Sequence, residues 1–180
     1  ASVDDLASQF CVSLETIRRD LGQLTEAGLV EKIHGGARRS RLLIEGKNLD
    51  RPDFEQSYRQ RCADLGIASE RLILVPLRTD NQYLTYHRMD IALDPFPLTG
   101  GTTSFDVLWM GVPLVSMVGT SFKSRMGTGM LTYLGRTEWL AQDAEQYIRI
   151  AQVLAADPQQ LNTLRLGLRA ELERSALMRE

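Results

Sequence analysis

Hydrophobic residues follow two different patterns along this chain, and one replaces the other near residues 37–40. In the first part, apolar residues recur at helical spacing, with Ser2 and Ser13 placed to cap two successive helices. Gly28 is expected to end the second helix, and the segment Leu29-Val30-Glu31-Lys32-Ile33 with the Gly35-Gly36 pair after it predicts a small hairpin. Short helices followed by a hairpin are typical of a winged helix-turn-helix.

After residue 40, short apolar strands alternate with helices. The pattern predicts strands at 42–44, 72–75, 91–93 and 113–116. It predicts helices at 54–65, 81–89, 124–134, 144–156 and 158–174, and one more that opens within the segment 100–106. Strands this short and apolar are typical of a parallel sheet with helices on both faces. We therefore predict an α/β domain over 40–180, preceded by a small module at 1–39.

Composition narrows the possible classes of protein. The chain has 180 residues, of which 43% are hydrophobic and 24% charged, as in globular domains. Its net charge of −2 argues against binding nucleic acid or an acidic membrane by bulk charge. Cys11 and Cys62 are far apart and His34 and His87 are the only histidines, so no metal site is expected. No signal peptide or bilayer-spanning run is evident, and we expect a cytoplasmic protein without membrane contact.

One segment between a predicted strand and a predicted helix carries candidate binding residues, namely Gly100, Gly101, Thr102, Thr103 and Asp106. The first N–H groups of a helix are unpaired and its dipole is positive there, so phosphate oxygens bind well at such a loop. The threonine hydroxyls can donate to oxygens or cap the helix, and the Asp106 carboxylate can accept from both hydroxyls of a ribose. We predict a nucleotide diphosphate site. The alternative is an ordinary capped helix, because glycine-rich loops are only moderately specific.

Longer strings of residues surround this segment. They are Asp90-Ile91-Ala92-Leu93-Asp94-Pro95-Phe96-Pro97, Gly100-Gly101-Thr102-Thr103, Asp106-Val107-Leu108-Trp109-Met110-Gly111-Val112-Pro113 and Ser124-Arg125-Met126-Gly127. Because of these strings, residues 41–178 resemble the C-terminal lobe of the O-linked N-acetylglucosamine transferase family, which is a Rossmann-like GT-B lobe. The resemblance implies that Thr102 and Thr103 contact the pyrophosphate of UDP-N-acetylglucosamine or UDP and that Asp106 holds the ribose. The nucleotide sugar would be a donor substrate, with no separate cofactor, and neither the protein acceptor nor a catalytic residue is indicated.

The chain departs from this family's pattern at the site itself. Many members carry a histidine where Gly101 stands, and the family's uracil-side histidine would fall at Gln82 or Tyr83. The family's phosphate-binding lysine and its N-terminal catalytic lobe would both lie upstream of the matching segment. We therefore expect weak UDP binding by this chain and no transferase turnover by it alone.

The first forty residues carry a second set of motifs, a Thr-Ile-Arg-Arg-Asp-Leu string at 16–21 and a His-Gly-Gly-Ala string at 34–37. They resemble the DNA-binding module of DeoR-type transcriptional regulators. The resemblance implies a recognition helix over 13–21, and it would place the family's first helix before Ser2. DNA contacts would then come from residues of that helix and of the wing beside it, namely Ser13, Thr16, Arg18, Arg19, Lys32 and Arg38.

Three functions stay open from the sequence. The three alternatives are a UDP-sugar-binding transferase lobe, a DeoR-type regulator with a sugar-nucleotide-sensing domain, and an inactive recombined or truncated gene product. The first forty residues hold five basic and six acidic side chains, a net charge of −1. Because nonspecific DNA affinity comes mainly from neutralised phosphates, a monomer is expected to bind DNA poorly at physiological salt. A solvated helix face is the alternative for the Arg18–Arg19 pair, although the surrounding motif favours DNA contact.

Overall fold

A computed structural model of the protein describes residues 40–78 and 83–179. The predicted module at 1–39 lies outside the described residues, and so do the DNA-contact residues predicted there, Ser13, Thr16, Arg18, Arg19, Lys32 and Arg38. Chain contacts divide the described residues into two compact units, with the boundary between Thr85 and Tyr86. The domain boundary predicted between residues 39 and 40 falls where the described residues begin, and it stays a prediction.

In the first unit, two parallel strands are connected by a helix. Strand β1 (Leu42–Gly46) pairs with strand β2 (Leu72–Pro76) in register over the whole length of both. Helix α1 (Pro52–Asp64) begins with a proline, whose fixed φ suits a helix start and whose missing N–H would have had no partner there. A 3-10 turn, Ser69–Arg71, leads into β2.

The apolar faces of these elements meet in two small clusters. Their buried members are Cys62, Ile67 and Leu72 in one and Leu49 and Tyr58 in the other. Ile44 and Leu74, which come from the two strands, pack against both clusters. Burial raises the pKa of the Cys62 thiol, which keeps this side chain neutral as a small apolar member of the core.

The second unit is built on a three-stranded parallel sheet in the order β3-β4-β5. The strands are β3 (Ala92–Leu93), β4 (Leu114–Met117) and β5 (Leu140–Ala141). The helices are α2 (Thr102–Trp109) between β3 and β4, α3 (Met126–Leu134) between β4 and β5, and then α4 (Ala144–Ala156) and α5 (Pro158–Arg174). The α/β class with parallel pairing that the sequence predicts is therefore confirmed.

The core of this unit surrounds β4. Leu114, Val115 and Ser116 have at most 1% of their surface exposed, and α2, α3 and α4 all pack against this strand. Leucines from the helices complete the core, namely Leu108, Leu131, Leu154, Leu164, Leu168 and Leu172. A strand covered in this way is buried on both faces, so its sequence shows no regular alternation of polar and apolar residues. Its one buried hydroxyl, Ser116 Oγ, donates a hydrogen bond within the core.

Helices α4 and α5 begin at aspartates that cap them. Asp143 Oδ1 accepts from the Gln146 amide at 2.8 Å, and Asp157 Oδ1 accepts from the Gln160 amide at 2.9 Å. Each carboxylate satisfies an amide of the first turn that has no partner within the helix. The bounds predicted for both helices, 144–156 and 158–174, are confirmed.

Other predicted elements differ from the structure in detail. Helix α1 begins two residues earlier than predicted, because the proline occupies its first position rather than preceding it. The helix predicted at 81–89 is a short 3-10 turn, Thr85–Arg88, within its described part. Strand β5 is not predicted, since two residues carry no periodic signal. Over residues 40–78 and 83–179, no helix combines the length and apolarity needed to cross a bilayer.

Candidate functional site

The predicted anion-binding segment connects β3 to α2. Helix α2 begins at Thr102, and Gly101 is its N-cap residue, with φ −98° and ψ −99°. No side chain caps this helix, and the amides of Gly101, Thr102 and Thr103 find no acceptor among the described residues. The segment therefore presents unpaired N–H donors at the positive end of a helix dipole.

Thr102, Thr103 and Asp106 lie on one side of α2, because residues three and four positions apart in a helix are neighbours on its surface. Both threonines are exposed and Asp106 is partly buried. Within the described part of the chain, the Asp106 carboxylate has no hydrogen bond or ion pair, and partial burial raises its pKa above the ordinary value. One turn of helix thus combines unpaired donors, two hydroxyls and an unpaired acceptor.

Gly100 serves a different purpose from Gly101. Its amide donates to Asp94 Oδ1 at 2.8 Å, so the predicted contact of Gly100 with a nucleotide does not use this N–H. The residue also has no room for a side chain, since a Cβ there would overlap Ser104 Oγ and lie 3.4 Å from Asp94 Oδ1. Gly100 belongs to the internal packing of the loop.

Asp94 is the buried centre of this region. Only 3% of its surface is exposed, and its carboxylate accepts from the Gly100 amide, from Ser104 Oγ at 3.1 Å and from Ser116 Oγ at 2.7 Å. Tyr147 Oη donates to its main-chain carbonyl at 2.9 Å. Burial raises the pKa of the Asp94 carboxyl, and these hydrogen bonds offset part of that effect. Asp94 lies within the string Asp90–Pro97, but the sequence pattern does not predict it as a site residue.

Helix α3 begins beside the start of α2. The Met126 side chain lies 3.1 Å from the point that a Cβ on Gly101 would occupy. Gly127 packs so closely that a Cβ there would overlap Ser116 Oγ and Asp94 Oδ2. Both helix starts therefore adjoin the same loop, at the carboxyl ends of β3 and β4, where ligands bind in open parallel sheets.

The loop between β4 and α3 is held to the same region. The Ser121 amide donates to Ser124 Oγ, and Ser124 Oγ donates back to the Ser121 carbonyl, both at 3.0 Å. The Lys123 carbonyl accepts from the amide of Thr99 at 3.3 Å and from its hydroxyl at 2.7 Å. Lys123 and Arg125 are both exposed. Two cationic residues thus stand on a loop that is bonded to the residue preceding Gly100.

The described residues contain no group of three or more His, Cys, Asp or Glu side chains placed to hold a metal ion.

Comparison with known proteins identifies the family. A family model described as glycosyl transferase family 41 matches residues 52–179, most of the chain. The chain belongs to glycosyl transferase family 41. The segment with Gly101, Thr102, Thr103 and Asp106 lies inside the matching range. A second model, described as a DeoR-like helix-turn-helix domain, matches residues 1–41.

Similar proteins cover the same part of the chain. A protein of Eustoma exaltatum subsp. russellianum named as probable UDP-N-acetylglucosamine–peptide N-acetylglucosaminyltransferase SPINDLY is 35% identical over 140 residues, 77% of this chain and 15% of that protein. The Arabidopsis thaliana protein of the same name is 35% identical over 132 residues, 72% of this chain and 14% of that protein. The chain thus spans about 15% of the length of these plant relatives.

A solved structure supports the same family. A mutant of the Thermobaculum terrenum O-GlcNAc transferase superposes with a TM-score of 0.75 and 30% identity, over 87% of this chain and 29% of that one. The predicted fold, the C-terminal lobe of a GT-B transferase, is therefore confirmed.

Proposed function

We propose that this family 41 chain binds the UDP portion of UDP-N-acetylglucosamine at the start of helix α2. The observation that carries the proposal is the unpaired main-chain donors of Gly101, Thr102 and Thr103 at an uncapped, exposed helix start. The names of the plant relatives and of the solved transferase support this choice of ligand. The sequence resemblance points the same way, because it implies that Thr102 and Thr103 contact the pyrophosphate and that Asp106 holds the ribose.

Each residue of the segment has a chemical role in this proposal. The amides and hydroxyls of Thr102 and Thr103 donate to diphosphate oxygens, where the helix dipole also favours negative charge. Asp106, one turn further along the same side of the helix, accepts from the ribose hydroxyls. Its carboxylate has no partner within the described residues, so binding a ribose breaks no existing hydrogen bond there.

The same donors would assist transfer of the sugar. When the bond between the sugar and UDP breaks, negative charge develops on the diphosphate, and donors already in place stabilise it without rearrangement. Lys123 and Arg125, on the loop bonded to Thr99, would add positive charge close to this point. The contribution proposed for the chain is to bind the nucleotide sugar and to stabilise the UDP leaving group.

Calorimetry with UDP tests the proposal. We expect measurable heat of binding for the full chain, and its loss in the double variant Thr102→Ala with Thr103→Ala. A matched control is Thr137→Ala with Thr163→Ala, which removes two exposed threonines of other helical elements and leaves binding unchanged. Equal heats from the wild-type chain and the Thr102/Thr103 variant would reject the site.

Specific DNA binding through residues 13–39 is a second candidate function. The match of the DeoR-like model to residues 1–41, together with the Thr-Ile-Arg-Arg-Asp-Leu string, favours it. A mobility-shift assay on a palindromic operator selected from random sequence tests it, with Arg18→Ala as the variant. A retarded band that Arg18→Ala abolishes would support DNA binding, while no band at low salt would reject it.

A further inference from the structure

We propose that Asp94 is a positioning residue of the proposed UDP site, because it fixes the Gly100–Gly101 loop while leaving the first amides of helix α2 unpaired. The proposal rests on the proposed function for the identity of the ligand. Its structural part, the hold of Asp94 on the loop, can be tested without any ligand.

The hydrogen bonds of Asp94 join three separate parts of the second unit. Oδ1 accepts from the Gly100 amide in the loop and from Ser104 Oγ in α2, and Oδ2 accepts from Ser116 Oγ in β4. An ionised carboxylate offers acceptors only, so one buried side chain can hold three donors at once. Asp94 thereby ties the loop and the helix to the central strand.

The geometry differs from ordinary helix capping in a way that matters for binding. An aspartate or serine at the N-cap position normally accepts from an amide of the first turn and so occupies a donor that an anion would need. Here the N-cap residue is Gly101, which has no side chain, and Asp94 accepts from the amide of the residue before it. The loop is fixed, yet the amides of Thr102 and Thr103 keep their free donors.

The glycines around Asp94 show how closely its carboxylate is enclosed. A Cβ on Gly100 would lie 3.4 Å from Asp94 Oδ1, and a Cβ on Gly127 would overlap Oδ2. The starts of α2 and α3 therefore approach each other across this one carboxylate. Placing a carboxylate at such a buried point costs desolvation free energy that an apolar residue would avoid, and its hydrogen bonds offset that cost.

The experiment compares Asp94→Ala and Asp94→Asn in the full chain. We expect Asp94→Ala to weaken UDP binding about tenfold, the equivalent of one lost hydrogen bond, and to speed hydrogen exchange of the Gly100 amide in ligand-free protein. Asparagine keeps an acceptor for Gly100, and its amide group can donate to Ser116 Oγ once that hydroxyl turns. We therefore expect Asp94→Asn to restore both values to within about threefold of wild type. Asp90→Ala, an exposed aspartate before the same strand, is the matched control and should change neither.

Amide exchange in β4 separates positioning from general instability. Faster exchange at Gly100 with unchanged exchange at Val115 supports the proposal, whereas equal acceleration at both, without rescue by Asp94→Asn, overturns it. If Asp94→Ala does not fold, Ser104→Ala removes one of the three donors, and unchanged Gly100 exchange and UDP affinity in that variant overturn the proposal. Absence of UDP heat in the wild-type chain would reject the donor site itself, while Gly100 exchange would still decide whether Asp94 holds the loop.

Discussion

Gly127 and Gly129 form a natural pair for testing how tightly the region around Asp94 is packed. Both lie in helix α3, two residues apart. A Cβ on Gly127 would overlap Ser116 Oγ and Asp94 Oδ2 and lie 3.0 Å from Ser116 Cβ, whereas a Cβ on Gly129 meets nothing within 4 Å. Gly127→Ala and Gly129→Ala therefore add the same methyl group to the same helix in opposite surroundings.

The size of each effect follows from two opposing terms. Alanine is favoured over glycine in a helix by up to about 1 kcal/mol, and both variants gain from this. An added methyl in a close-packed core destabilises the folded state by about 1–3 kcal/mol, and only Gly127→Ala places a methyl in such surroundings. The high end applies because both Ser116 and Asp94 are buried and hydrogen-bonded to each other, so neither can move freely. We expect a net loss of about 2 kcal/mol for Gly127→Ala and a gain of about 0.5 kcal/mol for Gly129→Ala.

Tryptophan fluorescence during thermal or urea unfolding measures both values. The two tryptophans of the chain, Trp109 and Trp139, both lie in the second unit, so their signal reports the unfolding of that unit. At about 4–8 °C per kcal/mol for a unit of fewer than 100 residues, Gly127→Ala should lower Tm by about 8–16 °C, and Gly129→Ala should raise it slightly. Shifts of the same sign and size in the two variants would refute the packing described around Asp94.

Three further predictions concern the same unit. The Arg165 guanidinium donates to the carbonyls of Tyr86, Met89 and Met110, so Arg165→Met should cost about 2–3 kcal/mol in urea unfolding, and the exposed control Arg174→Met less than about 0.5 kcal/mol. Gly111 (φ 76°) has no room for a Cβ against the Arg165 backbone and Gly135 (φ 84°) has open space, so Gly111→Ala should lower Tm clearly more than Gly135→Ala, and equal losses would contradict this. Burial raises the pKa of the Asp94 carboxyl above its unfolded value of 3.8. The folded state therefore holds this proton more tightly than the unfolded state, and the resulting stabilisation is complete below pH 3.8 and is lost as pH rises through the folded pKa. The free energy of unfolding should thus fall over this range in wild type and less in Asp94→Asn, as measured by urea unfolding at several pH values.

Sequence alone predicts those elements whose determinants are local. Helices α4 and α5 have the predicted bounds because Asp143 and Asp157 cap them within three residues and their apolar positions are periodic. The start of α2 is also a local prediction, since it depends on consecutive glycines and threonines after an apolar strand. Strand β5 has no such signal, because its two residues become a strand only by pairing with β4.

The arrangement around Asp94 could not be predicted in this way, because its partners are distant in sequence. Gly100 follows it by 6 residues, Ser104 by 10 and Ser116 by 22. No periodic pattern places these four residues together, and only the pairing of β3 with β4 does so. For the same reason, sequence could not separate Gly100, whose amide is bonded within the loop, from Gly101, whose amide is unpaired.

The most direct measurement of the central claim is an amide chemical-shift titration of the full chain with UDP and, separately, with uridine. We expect UDP to shift the amides of Gly101, Thr102 and Thr103 strongly and the bonded Gly100 amide less. Uridine, which has no phosphate, should leave all four amides near their starting values. Equal shifts with the two ligands, or UDP shifts confined to other parts of the chain, would contradict it.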